Sequence, residues 1–446
     1  MRRSTGELAT TARWNPATRI AFRFVFSYFC LFFVIGQLID LLPFSDFLAR
    51  KYAAFWYVIV AWVDKNILHT GYGIYLLEGR AAVSNTAFGS ILFLCYVTLA
   101  AAATVIWSVL DRRRPHYTRL HQELRLLVRF SLALAMIHYG ALKVIPTQMI
   151  APPPLGVLTQ RVGDLAPMRL LWIFMGASPA YETFTGCAEL LGGVLLLIPR
   201  TTLLGALVCC ADMVTVFMLN MCYDVHVKLY SFHLLFMSVL LLAPDLRRLA
   251  DLLLFNRRVE PAEAPPLFAH KWLNRAPQVF LLLVGLYAIG AGFQEAGQRY
   301  RQLYPPPPPL YGVWSVEEFA VEGQEVPLFT DAQRWRWVIL QNPGALSIER
   351  MIGSRQVYTL DLDMKNKTMV LGKHQRDAAG NVVRDAAGQP RRDPGWQARF
   401  SWSAPQADVL ILDGQVDGRR THARLRKMAL LARRFHWIFD PPQEDR

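Results

Sequence analysis

Charged residues are scarce in this sequence: only 18% of its 446 residues are Asp, Glu, Lys or Arg, while 53% are hydrophobic. A soluble domain carries about one-quarter charged residues. The shortage is confined to residues 1–295, where long apolar runs alternate with short Arg-rich clusters; residues 296–446 have an ordinary soluble composition. One part is expected to dissolve in lipid and the other in water. Cysteine is also sparse. All six (Cys30, Cys95, Cys187, Cys209, Cys210, Cys222) lie in or beside apolar runs, which excludes a disulfide in the C-terminal part. No CxxC pair exists to serve as a redox dithiol, and the six read as small apolar packing residues. HExxH, GxSxG, Walker A and GxGxxG are all missing, and no histidine or cysteine spacing indicates a metal site. Haem ligation by His138 and His233 would need both to face inward at one depth.

What is present is a set of apolar runs long enough to cross a bilayer. A hydrocarbon core of about 30 Å needs about 20 residues of helix. The runs 20–42, 86–110, 124–146, 180–198, 202–222, 227–244 and 276–294 meet or approach that length, giving about seven transmembrane helices. The first is too long for a signal-peptide core and lacks a small-residue cleavage site, so it is expected to remain as an anchor. Much of the net charge of +14 sits at run ends: Arg2/Arg3, Arg112–Arg114, Arg247/Arg248 and Arg257/Arg258. Such clusters face anionic lipid and set topology. No nucleic-acid-binding motif accompanies them, so the expected partner is the lipid bilayer and not nucleic acid.

Sidedness follows from the same residues. With the tail 1–19, the loop 111–123 and the linker 247–275 in the cytoplasm, seven spans leave the C-terminal part outside. Residues 47–68 form either an interfacial amphipathic helix or an extra span. The first is preferred, because the second would turn Arg112–Arg114 outward. The run 170–175 is too short to cross and reads as a re-entrant turn.

Five prolines at 305–309 predict a stiff polyproline spacer over 295–310. Beyond it lie eight runs rich in β-formers: 312–321, 334–341, 346–351, 356–362, 368–373, 396–402, 409–412 and 419–427. DMKNK at 363–367 and Asp417-Gly418 occupy hairpin-turn positions. Residues 311–440 are therefore expected to form an all-β up-and-down, lipocalin-like barrel or a sandwich. Trp314, Trp335, Trp337, Trp396, Trp402 and Trp437 read as its core. A repeat, RDAAG at 376–380 and 384–388, reads as a polar hairpin excursion.

Ionisable groups at bilayer depth cost a few kcal/mol each, so they are functional candidates. They cluster in the central four runs: His138, Tyr139 and Lys143, then Glu182 and Glu189, then Asp212, Asn220 and Asp224, then Lys228 and His233. Two readings stand side by side. Each acid pairs with a lysine or histidine and locks the bundle, or the group forms an outward-opening polar pocket for a small molecule or protons.

Residues 124–246 resemble the DoxX family of four-helix membrane proteins. The likeness rests on Gly140 and Lys143 ending one helix, on ETFTGCAELLGG with Glu189, Gly192 and Gly193, and on the NxCYDxxVK junction with Asn220, Tyr223, Asp224 and Lys228. The family takes its name from a subunit of a thiosulfate:quinone oxidoreductase. The resemblance implies a multi-pass protein of the bacterial inner (plasma) membrane, and with the sidedness read from the arginine bias the N-terminus is expected to be cytoplasmic and the β domain periplasmic or extracellular. It further implies a quinone- or sulfur-linked redox component with a membrane redox or envelope partner, quinone being the cofactor class to expect. The missing CxxC departs from what direct thiol–disulfide exchange would require and counts against it. A quinone site would use an apolar cleft with donors such as Lys143, Tyr139 or His138. The alternative is a non-enzymatic scaffold, a cargo- or ligand-binding protein, or a small-molecule transporter.

Overall fold

The apolar runs fold as helices. In the computed structural model the described residues are 13–33, 45–74, 86–149, 154–260, 271–327, 333–377, 382–385 and 390–429. They divide into two compact units, Met1–Met149 with Pro167–Tyr300, and Ile150–Ala166 with Arg301–Arg446. The first contains α1 (Pro16–Phe33), α2 (Ser45–Val63), α3 (Ala87–Leu110) and α4 (Thr118–Val144). After the four-residue α5 (Leu155–Leu158) of the other unit come α6 (Pro167–Gly176), α7 (Pro179–Leu197), α8 (Thr202–Cys222), α9 (Lys228–Leu242), α10 (Leu246–Leu253) and α11 (Lys271–Leu303). Among the described residues six helices are long and apolar enough to cross a membrane: Pro16–Phe33, Ala87–Leu110, Thr118–Val144, Pro199–Cys222, Lys228–Leu253 and Arg275–Leu303. The run expected at 180–198 forms α7, made less apolar by its two glutamates and its glycines. The segment expected at the interface, 47–68, is helical, with Trp56 and Val60 buried and Phe55, Val58 and Trp62 exposed. The expected re-entrant turn is α6, ten residues long and too short to span. The end of the first expected span, 34–42, falls outside the described residues.

Helix ends obey local chemistry. Ser178 accepts from the Tyr181 amide at 3.3 Å, and Pro179 supplies the preset φ of a first helical turn. At the other end of α7, buried Arg129 of α4 donates to the carbonyls of Leu196 (2.5 Å) and Leu197 (2.8 Å). These are terminal carbonyls with no partner inside their own helix, where a cation also meets the negative end of the dipole. Helix α11 runs further than the expected span and stops just short of Pro305, because a residue before proline leaves the helical region. The spacer is correspondingly shorter.

The second unit is a barrel. Its strands are β1 (Gly312–Val321), the two-residue β2 (Gln324–Glu325), β3 (Trp335–Leu340), β4 (Ala345–Arg350), β5 (Arg355–Asp363), β6 (Thr368–His374), β7 (Arg392–Gln406), β8 (Val409–Val416) and β9 (Arg419–Lys427). Each pairs antiparallel with its neighbours, β2 with β1 alone, and β9 returns to β1, closing the other eight strands. Alternation does the sorting: on β9 Thr421, Ala423 and Leu425 are buried between partners facing solvent or half-buried. The β8–β9 turn has φ +50° at Asp417 and +78° at Gly418, the pair of positive angles a tight hairpin requires. Inside, Trp314, Trp335, Phe400, Trp402 and fifteen further buried apolar residues form one core, so side chains fill the interior. Trp437 lies outside the described residues.

One segment of this unit comes from the helical part of the sequence. Leu155 of α5 packs with Val313, Ile339 and Trp337 of the barrel. Arg355 donates to Thr159 Oγ1 at 2.5 Å and to the Gly156 carbonyl, while pairing with Glu349 at 2.5 Å. The connection between α4 and α6 is thus a strap bound to the barrel wall.

Candidate functional site

The central helices leave a cavity of about 340 Å³ between α4, α6, α7, α8 and α9. Helical periodicity aims each wall: Met136, Tyr139 and Lys143 from α4, Tyr181, Thr185 and Glu189 from α7, Asp212, Val216 and Asn220 from α8, Tyr230, Ser231 and Leu234 from α9. Helix α6 closes it with Met168, Leu171, Trp172 and Met175. The lining is thus chiefly apolar, rich in methionine and aromatics, with a few polar groups at one side.

Close packing of α4 on α7 sets the polar side. A Cβ on Gly186 would lie 2.6 Å from the Val144 amide nitrogen and 2.8 Å from the Gly140 carbonyl oxygen, and one on Gly140 would lie 2.7 Å from the Leu190 nitrogen. Only glycines permit this approach, which brings Lys143 against Glu189 as a buried ion pair. Gly186→Val must push the helices apart. We expect a loss of about 1–3 kcal/mol, read as a lowered Tm in detergent; an unchanged Tm would mean the helices do not meet here.

Beside the pair, Asp212 lies within electrostatic reach of both Glu189 and Lys143. Glu189 Oε2, Asp212 Oδ2 and Asn220 Nδ2 are buried without a hydrogen-bond partner among the described residues. One ammonium and two carboxyls in contact with an apolar chamber can donate to a carbonyl and accept a hydrogen bond or a proton from a hydroxyl.

Of the ten residues singled out in the sequence, the structure brings Tyr139, Lys143, Glu189, Asp212 and Asn220 to the cavity. The others serve elsewhere. Glu182 is fully buried but accepts from the Gln148 and Met149 amides (3.2 and 3.0 Å), fixing the chain as it leaves α4. His138 turns to α11, its Nδ1 3.6 Å from Glu295. Asp224, at φ +53°, is exposed at the α8–α9 turn and pairs with Lys228, whose ammonium holds its carboxyl below the usual range.

His233 lies in an aromatic nest, stacked on Phe32 with centroids 4.3 Å apart. Its Nδ1 is 2.5 Å from the Leu229 carbonyl, which can only accept, so Nδ1 carries the proton and Nε2 accepts from the Tyr28 hydroxyl. His138 and His233 therefore face different helices and form no haem pair. Among the described residues no group of three or more His, Cys, Asp or Glu side chains is arranged to hold a metal ion. Sequence reasoning missed Trp172, Tyr230, His226 and the methionines. Met136, three residues before Tyr139 on α4, could have been indicated by helical spacing; Trp172, on α6, carried no such signal.

Part of the chain is similar to a known protein. YwoB of Bacillus subtilis (strain 168) is 36% identical over 122 residues, covering 27% of this chain and 75% of YwoB. The chain belongs to the YwoB family. YwoB is described as an uncharacterized protein, so this kinship brings no activity, and the chemistry must be read from the cavity. No family profile matches the chain, and no solved structure matches it.

Proposed function

We propose that this member of the YwoB family is a DoxX-type protein of the bacterial inner membrane whose central bundle binds a quinone-type headgroup for a membrane redox or envelope partner. The observation that carries the reading is the apolar, aromatic-lined chamber of about 340 Å³ with Lys143, Glu189 and Asp212 on one wall. Ligand sites typically span about 300–1,000 Å³ with a few convergent polar groups, so the chamber suits one ring-sized head. Lys143 donates to one ring oxygen, and Asp212 or Glu189 receives the hydroxyl of the reduced form. Electrons come from or go to the partner protein. The test is titration of the detergent-solubilised full chain with a short-chain quinone, followed by quenching of tryptophan fluorescence, Trp172 lying in the wall. Saturable binding weakened tenfold or more by Asp212→Asn supports the reading. Absence of binding, or binding indifferent to that change, sinks it and leaves the polar group a structural lock.

The same reading holds that seven helices cross, with the N-terminus in the cytoplasm and the barrel outside. Support comes from the arginine bias and from parity. Residues 154–159, which follow α4 in the chain, are bonded to the barrel through Arg355, Thr159 and Gly156, which supports placing the end of α4 and the barrel on one side. Four crossings by α7, α8, α9 and α11 satisfy that; three do not. On this reading α7 is the seventh span, its 19 residues giving about 28 Å at 1.5 Å each. In a cysteine-free background, needed because Cys30, Cys187 and Cys222 are exposed, Arg161→Cys and Arg419→Cys should both react with an impermeant maleimide added to intact spheroplasts. Protection of either until lysis overturns the assignment.

A further inference from the structure

Five methionines line the chamber of the helical unit: Met136 from α4, Met149 from the chain just past it, Met168 and Met175 from α6, and Met213 from α8. The chain holds thirteen in all, so more than a third converge on one space. Leucine, with its better-defined rotamers, is the ordinary filler of such positions. Methionine is unbranched and polarizable, and its sulfur is drawn to the edge of an aromatic ring.

The thioethers have a wall of their own. Met168 and Met175 stand two turns apart on one face of α6, with Leu171 and Trp172 between them. Met149 and Met175 are buried and pack with Leu171 and Val225 in one cluster, against which Met168 and Trp172 also pack. Helix α6 thus contributes only thioether, hydrocarbon and indole to the chamber, while the charged Lys143, Glu189 and Asp212 come from α4, α7 and α8.

That division separates the common classes of quinone. All carry two carbonyls, and they differ in what occupies the remaining ring edge. A dimethoxybenzoquinone places two ether oxygens there. Against α6 these would exchange water for a wall with a single N–H donor, the Trp172 indole. A naphthoquinone places a fused benzene ring there, which has no polar atom to desolvate. Its electropositive C–H edge is what thioether sulfurs and aromatic faces attract. We propose, on the footing of the quinone reading above, that the chamber selects a naphthoquinone. One carbonyl meets Lys143 and Asp212, and the fused ring extends the head among Met168, Met175 and Trp172.

Calorimetric titration of the full chain in a neutral detergent distinguishes the classes. The probes are a methylnaphthoquinone and a dimethoxybenzoquinone, each bearing a single prenyl unit, with affinities corrected for partition into micelles. The naphthoquinone should bind about tenfold more tightly or better, as several sulfur–ring contacts together allow. Met168→Leu/Met175→Leu conserves volume and should remove most of that preference by weakening the naphthoquinone alone. Equal affinities, tighter binding of the benzoquinone, or a preference untouched by the methionine changes would overturn the proposal and leave the quinone reading standing. If neither probe binds the parent chain, the quinone reading fails and this selectivity fails with it. Should the double variant not fold, Met168→Leu alone, at a half-buried position, carries the same comparison.

Discussion

Lys143→Ala will destabilise the helical unit by about 3–5 kcal/mol, the loss seen when one partner of a buried ion pair is removed. Both members are nearly sealed from solvent, with side-chain exposures of 7% for Lys143 and 3% for Glu189. Without the ammonium, Glu189 is left within electrostatic reach of Asp212 alone, and one of its oxygens already lacks a hydrogen-bond partner among the described residues. The second arm separates stability from function. Lys143→Met with Glu189→Leu removes both charges at similar volume, a change that is neutral or stabilising by about 1–4 kcal/mol in comparable pairs. The double variant should therefore recover the Tm but not the quinone affinity. Recovery of both would make the pair a lock with no part in binding. Detergent unfolding and fluorescence titration on the same preparations read the two quantities.

Much of the helical unit was legible because burial in lipid demands length and apolarity, which composition reports directly. Helix α7 was the hardest run to read, and its glutamates explain why. Glu182 and Glu189 are buried against protein, on the Gln148–Met149 backbone and on Lys143, so their charge lowers the apparent apolarity of a helix that need not show it to lipid. In the barrel each of the eight runs became a strand, since inward and outward residues alternate where one face is dry. Closure of β9 onto β1 had no signature, which is why a sandwich fitted equally well.

The site was less legible. A residue's depth along a span can be counted from sequence, but its azimuth depends on which helix lies beside it. His138 and Tyr139 are adjacent, yet one meets Glu295 of α11 and the other the cavity. Glu295 carried no signal, because it sits where an apolar span was already expected to have ended. Nor does anything in the composition of 154–165 announce that it straps the barrel, because Arg355 recognises backbone and one hydroxyl there.

Phe400→Ala will cost the barrel about 3–5 kcal/mol, the penalty for truncating a fully buried phenylalanine. Phe400 is 0% exposed, with its ring centroid 5.9 Å from that of Trp335. The chain makes room for it at Gly414, the paired residue on β8, where an added Cβ would come within 2.6 Å of the phenylalanine ring. The backbone there is already committed to this side chain, so the cavity left by truncation has little means of closing. Because the barrel and the helical bundle are separate compact units, the loss should fall on the barrel's unfolding transition, followed by its tryptophans, and leave quinone affinity in the bundle unchanged. A hollow, ligand-carrying barrel behaves otherwise. There the truncated ring would border open space, the cost would stay below about 1 kcal/mol, and an added fatty-acid probe would raise the Tm of the parent chain. A small cost together with that rise would mean the interior is not the packed core described above.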